Sequence, residues 1–458
     1  MLQPESIDLK ANKKDIEAVI ATNRFGMGAR FTEIDDARHS PKDWLISLLT
    51  SITPPDKAPT SIEMIRLLTK FKQQQKTISE IKNTSEPIIS QHVQLQLNSE
   101  LIVKKSIESD SSINWRLLDF FSNHFSVSAN TNEMRFLAPT LDWEAIAPNL
   151  VNSFSEMLIA VISHPAMLFY LNNEKSVGPN SIIGRKRKKA GFNENLAREI
   201  FELHTLGVKG DYSQKDIIEL AKAITGWSIP RNSNEIENLD NNSFLYRSNT
   251  HEPGSRYILN KYYFGDASDN EQGIKILTDL ANHPSTALHI CTKLARHFVS
   301  DNPNTKLVKR MKTTWLKTKG DIKSVIITLI ESDLAWKDDN QKFKSPREFL
   351  ISTYRATNIK EKRLAYNLKQ LGQLPYRADS PAGYGDIRSS WDAPNALLNR
   401  IEWTENLSNR LRKRDALDLA HISLSNRINK HTLEIIQQAE SQQQAIALLF
   451  MSPDFMYR

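Results

Sequence analysis

Residues 192–227, FNENLAREIFELHTLGVKGDYSQKDIIELAKAITGW, read as helix, glycine turn, helix, and this pattern sets the expectation for the whole chain. Across residues 193–206, at about 100° per residue, Leu196, Ala197, Ile200, Phe201 and Leu203 share one arc. Glu194, Asn195, Arg198, Glu199 and Glu202 fall on the opposite arc, while Asn193 and His204 project into the apolar one. Gly207 stands where a cap with positive φ ends a helix. Ser213 and Asp216 have the Ser-x-x-acid spacing of a capping box ahead of Ile217, Leu220, Ala221 and Ile224. Gly226-Trp227, before Pro230, closes the second helix.

Working outward, the same helical periodicity recurs while β-branched alternation is rare and glycine is sparse, with 15 in 458 residues. The expected fold is all-α, a large multi-helix bundle with a small irregular or β-hairpin insert. Residues 1–458 are expected as one helical body, with 228–269 as the insert or lid and a proline-rich loop at 374–391 before the C-terminal helices. Alternation at Arg256-Tyr257-Ile258-Leu259 and Tyr262-Tyr263-Phe264 places a hairpin in the insert. Helices are also expected over 61–83, over 88–107 with a loosening near Asn98, and over 147–163. Arg24-Phe25-Gly26-Met27-Gly28 reads as a tight turn holding a buried Phe25. It lacks the preceding strand and the third glycine of a dinucleotide loop.

The net charge of +7 comes from 60 basic residues interleaved with 53 acidic ones, with one compact basic run from Arg185 to Lys189. No zinc-finger spacing, aromatic RNA-binding signature or basic zipper accompanies it, which argues against a nucleic-acid partner. Such a run most often forms a solvated loop. A single cysteine, Cys291, excludes an internal disulfide framework and multi-cysteine metal sites, and its apolar neighbours predict burial. No segment reaches the roughly 20 apolar residues of a membrane span. The first residues lack a charged-then-apolar signal pattern, so the cytoplasm is the default expectation, with export left open.

Glu194, Glu199 and Glu202 admit two readings. On one they are a solvated helix face, with Glu194 and Arg198 an ordinary i,i+4 pair. On the other, Glu199 and Glu202 converge on a proton or a divalent cation. The set His124, Asn193, Glu194, Arg198, Glu199, Glu202, His204 and His251 is then the candidate catalytic constellation, with His124, Glu199 and Glu202 as the candidate metal ligands. A histidine set among aromatic residues, as His124 is in WRLLDFFSNHF, is more often structural than a ligand.

Several runs together resemble one bacterial family, the domain of unknown function numbered 1800. They include Asn23-Arg24-Phe25-Gly26-Met27-Gly28, Asn123-His124-Phe125, Pro165-Ala166-Met167-Leu168, Asn193-Glu194-Asn195 and Ala197-Arg198-Glu199. They continue through Glu202-Leu203-His204-Thr205-Leu206-Gly207, Thr225-Gly226-Trp227, His283-Pro284-Ser285-Thr286-Ala287 and Ser452-Pro453-Asp454-Phe455. The resemblance implies a helical protein of unassigned activity, often encoded beside a secreted phosphatase-like protein, which would be a partner. This chain departs from the pattern in having Gly383-Tyr384 where relatives carry Gly-Trp. Two functions follow as expectations: an enzyme with a carboxylate and histidine site in an inter-helix cleft, or a non-catalytic interaction or maturation partner of the phosphatase-like protein.

Overall fold

The computed structural model describes residues 13–80, 89–187, 191–231, 233–237, 243–265, 268–339 and 341–458. Helices dominate throughout, and the only paired strands among the described residues form two two-stranded antiparallel sheets. One continuous cluster of buried apolar side chains runs from Ala18 to Phe455. Trp143, Trp227, Trp315, Phe25, Phe121 and Phe125 are among its bulkiest apolar members. Burying each such ring contributes about 1.5–3 kcal/mol, so the stacked aromatic set fixes how the central helices meet. No helix among the described residues is long and apolar enough to cross a membrane.

The opening stretch forms two helices, but not with the boundaries the periodicity predicts. The regular α-helix is short, Asn195–Glu199, and continues as a π-helical turn over Ile200–His204. Gly207 adopts φ +85°, as expected of the cap. Gln214–Ala223 follows with the predicted capping box, in which the Ser213 amide donates to Asp216 Oδ2 at 2.8 Å and the Asp216 amide to Ser213 Oγ at 3.3 Å. The other oxygen of Asp216 accepts the Leu259 amide at 2.8 Å, so one carboxylate starts the helix and anchors the insert.

That insert contains the expected hairpin, Arg256–Ile258 against Lys261–Tyr263. Its two-residue loop, Leu259 and Asn260, has φ of 48° and 62°, the doubly positive geometry that matches strand twist in tight hairpins. A second pair joins Trp227–Ser228 to Leu245–Tyr246.

Among the described residues, two further π-helical turns occur, at Ala21–Phe25 and Asp142–Ile146. The second explains a departure from expectation. Residues 147–163 do not form one helix, because Pro148 sits in a single 3-10 turn, Ala147–Asn149, and Ser153 opens a new helix, Phe154–Ser163, through a capping box with Glu156. Ahead of the π turn lies Asn132–Leu141, a helix with Pro139 inside it. Proline removes a ladder N–H there, and the helix widens immediately after it. Near Asn98 the helix Gln91–Glu108 runs without the expected loosening, since Asn98 is buried along with Ser99 and Ile102. Positions 81–83 and 88 of the expected helices, and Lys188 and Lys189 of the basic run, lie outside the described residues.

Candidate functional site

The acids of the opening helix form a ladder on a half-buried face. Arg198 Nη2 lies 3.3 Å from Glu194 Oε2 and Nη1 lies 3.5 Å from Glu202 Oε1. Gln214 Nε2 donates to Glu194 at 2.7 Å. Partial burial and the neighbouring Glu202 raise the Glu199 carboxyl above its usual range. Asn193 acts on the backbone instead: its Nδ2 donates to Leu171 O at 2.9 Å and its Oδ1 accepts the Asn195 amide at 2.9 Å, opening the helix.

The histidines lie elsewhere. The carbonyls of Leu203 and His204 stand at the end of the π-helical turn, where no further helical N–H reaches them, and two imidazoles from other helices take them up. His124 Nε2 donates to His204 O at 3.2 Å, and His289 Nε2 donates to Leu203 O at 3.2 Å. Lys293 Nζ donates to His124 Nδ1 at 2.9 Å, which fixes His124 as the neutral Nε2–H tautomer. Burial holds all three imidazoles low, helped by the Lys293 charge: His204 falls to about 3, His289 to about 4, and His124 well below the usual range. Burial also lowers Lys293 to about 8.

His124 is thus a cap on a helix end, its ring bonded to His204 O and Lys293 Nζ. No group of three or more His, Cys, Asp or Glu side chains among the described residues is placed to hold a metal ion. His204 is fully buried, and both of its ring nitrogens lack partners. His251 is also buried, with Nδ1 at 2.8 Å from Thr225 O.

A different set of polar side chains converges on a cleft of about 90 Å³. One wall is the helix Ser112–His124, which brings Asp119, Ser122 and Asn123. The π-helical turn supplies Asp142, the start of the helix Pro346–Thr357 supplies Arg347 and Glu348, and the loop at 374–391 supplies Tyr376, Tyr384 and Asp386. Asn123 fastens that loop by giving Nδ2 to Tyr384 O at 2.9 Å and accepting the Tyr384 amide at 2.7 Å. Gly383 must be glycine, since its φ is +79° and a Cβ there would sit 2.4 Å from Asn123 O. The Tyr384 hydroxyl donates to Leu374 O at 2.6 Å and closes the loop on itself. That contact is how this chain uses the tyrosine at its point of departure from the resembled pattern.

Asp142 is the acid of the cleft whose carboxyl is raised. Oδ1 accepts from Ser122 Oγ at 2.5 Å and Oδ2 from Tyr376 Oη at 2.8 Å. Burial pushes its carboxyl up to about 6, although both hydroxyls and the Arg347 charge favour the ionised form. Tyr376 itself carries φ +56°, a strained conformation for a bulky residue, and burial beside Asp142 holds its phenol well above the usual range.

Asp386 is tuned in the opposite sense. Burial would raise it, but His297 and Lys342 outweigh that and bring it to about 2. Lys342 Nζ lies 3.1 Å, and His297 Nδ1 3.7 Å, from Asp386 Oδ1. The far nitrogen of His297, Nε2, is buried without a hydrogen-bond partner.

Behind these groups Glu348 is clamped between two buried arginines, ion-paired with Arg116 and 2.8 Å from Arg458 Nη2, and these cations hold its carboxylate well below the usual range against burial. Arg458 also donates to the His297 carbonyl at 2.5 Å, so the clamp fixes the end of the helix that carries His297. None of Asp142, His297, Tyr376 or Asp386 was among the expected site residues. Two signals for them were in the sequence: the Asp142-Trp143-Glu144 triplet set into an apolar run, and Asp386 within the proline-bounded loop.

No curated protein and no solved structure matches the chain. One family model does, under the description "Protein of unknown function (DUF1800)", over residues 20–457. Because that match takes in nearly the whole chain, the protein belongs to this family of unknown function.

Proposed function

We propose that the protein is an enzyme whose cleft carries out general acid–base chemistry on a small polar substrate, or on the polar end of a larger one. The observation that carries this reading is the divergence of two carboxyl groups lining one cleft. Asp142 is raised to about 6, whereas Asp386 is ionised down to about 2. Environments that drive two acids apart in this way assign them separate roles. Asp142 acts as the proton donor, supported by Ser122 and Tyr376. Asp386 orients His297, whose free Nε2 is the proton acceptor in a carboxylate–imidazole pair. Arg347 and Lys342 supply positive charge to a substrate carbonyl, phosphoryl or carboxylate oxygen.

The reading keeps the residue classes expected from the sequence and replaces the residues. Its test is a panel of p-nitrophenyl esters, phosphates and glycosides assayed across pH 4–9. At least one class is expected to turn over, with a loss on the order of 100-fold in Asp142→Asn and in His297→Gln, neither variant being less stable than wild type. Absence of turnover across the panel, or full activity in both variants, counts against the proposal.

A further inference from the structure

The helix Thr305–Thr318, TKLVKRMKTTWLKT, carries five lysine and arginine residues and no acid. It packs against Pro284–Phe298, and along their seam runs a groove of about 630 Å³. Apolar contacts are left open along it, with Leu288 48% and Leu316 42% exposed above a buried Val308. Cations line the same groove: Arg296, Lys309 and Lys312. The side-chain ammonium groups of Lys309 and Lys312 have no ion pair or hydrogen bond among the described residues. The acid present, Asp301, is already engaged by Lys342 Nζ at 2.9 Å and by the Arg388 amide at 2.8 Å. The groove therefore offers apolar recesses and unneutralised positive charge along a helix roughly 20 Å long.

We infer that this groove docks an acidic amphipathic helix of a partner protein, with leucine-like side chains seated against Leu288, Val308 and Leu316 and carboxylates facing Lys309 and Lys312. Helix-in-groove recognition needs this combination of a concave apolar seam and a charged rim. Charge selects the partner. A second copy of a chain with net charge +7 would be repelled, whereas an acidic segment is steered in. The shape disfavours other polyanions. A membrane surface engages protruding apolar side chains, and these lie along a recess. A nucleic acid stacks on exposed aromatic rings, and the one aromatic residue of this helix, Trp315, is fully buried.

The test measures fluorescence anisotropy of a labelled 16-residue peptide with leucine at helical positions i, i+4, i+7 and i+11 and glutamate on the opposite face. A permuted peptide of the same composition, phosphatidylserine-containing vesicles and a single-stranded 20-mer DNA serve as comparisons. The full-length protein is expected to bind the patterned peptide at least tenfold more tightly than the permuted one. Lys309→Glu/Lys312→Glu is expected to weaken it at least tenfold, and Leu288→Ser to weaken it without changing the salt dependence. All of these side chains are partly or fully exposed, and circular dichroism confirms that the variants fold. Equal binding of both peptides, equal binding by the charge-reversed protein, no peptide binding at all, or binding of only vesicles or DNA would each overturn the inference.

Discussion

Tyr376 gives its hydroxyl proton to Asp142 Oδ2 across 2.8 Å, joining a strained loop residue to an acid on a π-helical turn 234 positions earlier in the chain. The bond places a phenol that stays protonated against a carboxyl group that titrates near neutrality, and it sets the first prediction.

Asp142 has a folded-state value near 6 against an ordinary value of 3.8, so its contribution to stability is complete below pH 4 and is lost as pH rises through 6. The displacement corresponds to roughly 3 kcal/mol. Asp142→Asn removes this dependence. Its stability relative to wild type is therefore expected to improve by up to that amount between pH 3.5 and 7, read as the difference in urea unfolding free energies at each pH.

The buried imidazoles act in the opposite direction. His124, His204 and His289 are depressed, so the stability they confer is present above pH 6.5 and is lost as pH falls toward 4 and below. Three such groups outweigh the single gain at Asp142, so the melting temperature is expected to drop between pH 6.5 and 4. In His204→Leu the drop is shallower, because one of the three buried groups that must take up a proton is gone. Scanning calorimetry at pH 7 and pH 4.5 compares the two proteins.

Glu348 balances two guanidinium groups that have almost no access to water, with Arg116 1% and Arg458 0% exposed at the side chain. Glu348→Gln leaves both charges without their carboxylate and is expected to cost about 3–5 kcal/mol, seen as a lowered denaturant midpoint.

Gly383→Ala tests the loop. The added Cβ meets Asn123 O and the backbone is held at φ +79°, so a loss of about 1–3 kcal/mol is expected. Because the same contact fastens Tyr384, any turnover found in the cleft is expected to fall further than stability alone explains. Comparing rate with melting temperature separates the two effects.

The parts of the fold governed by local physics were legible in the sequence. The capping box at Ser213 and Asp216, the positive-φ Gly207, the hairpin at Arg256–Ile258 and the buried Cys291 each follow from a few neighbouring residues. The cleft was not legible, because its chemistry is assembled from far-apart segments. Nothing near Asp142 in the chain announces that Tyr376 will cover it. His124 misled in the same way: an imidazole between aromatic rings looks alike in sequence whether it binds a ligand or caps a helix, and the Leu203 and His204 carbonyls decide between them. Those carbonyls stand at a helix end, where no further turn takes them up, and apolar periodicity does not register which distant side chain will.

The π-helical turns also make the molecule sensitive to chain length. Each holds one residue more than an α-helical path would use, so a single deletion within Ala21–Phe25, Asp142–Ile146 or Ile200–His204 lets the backbone relax into the commoner helix. Composition and the register of the flanking helix would hardly change, yet the side chains of the turn itself would lose their present aim. A one-codon loss at Asp142–Ile146 would thus disarm the cleft more thoroughly than most substitutions, while leaving a chain that still codes for a well-formed helix.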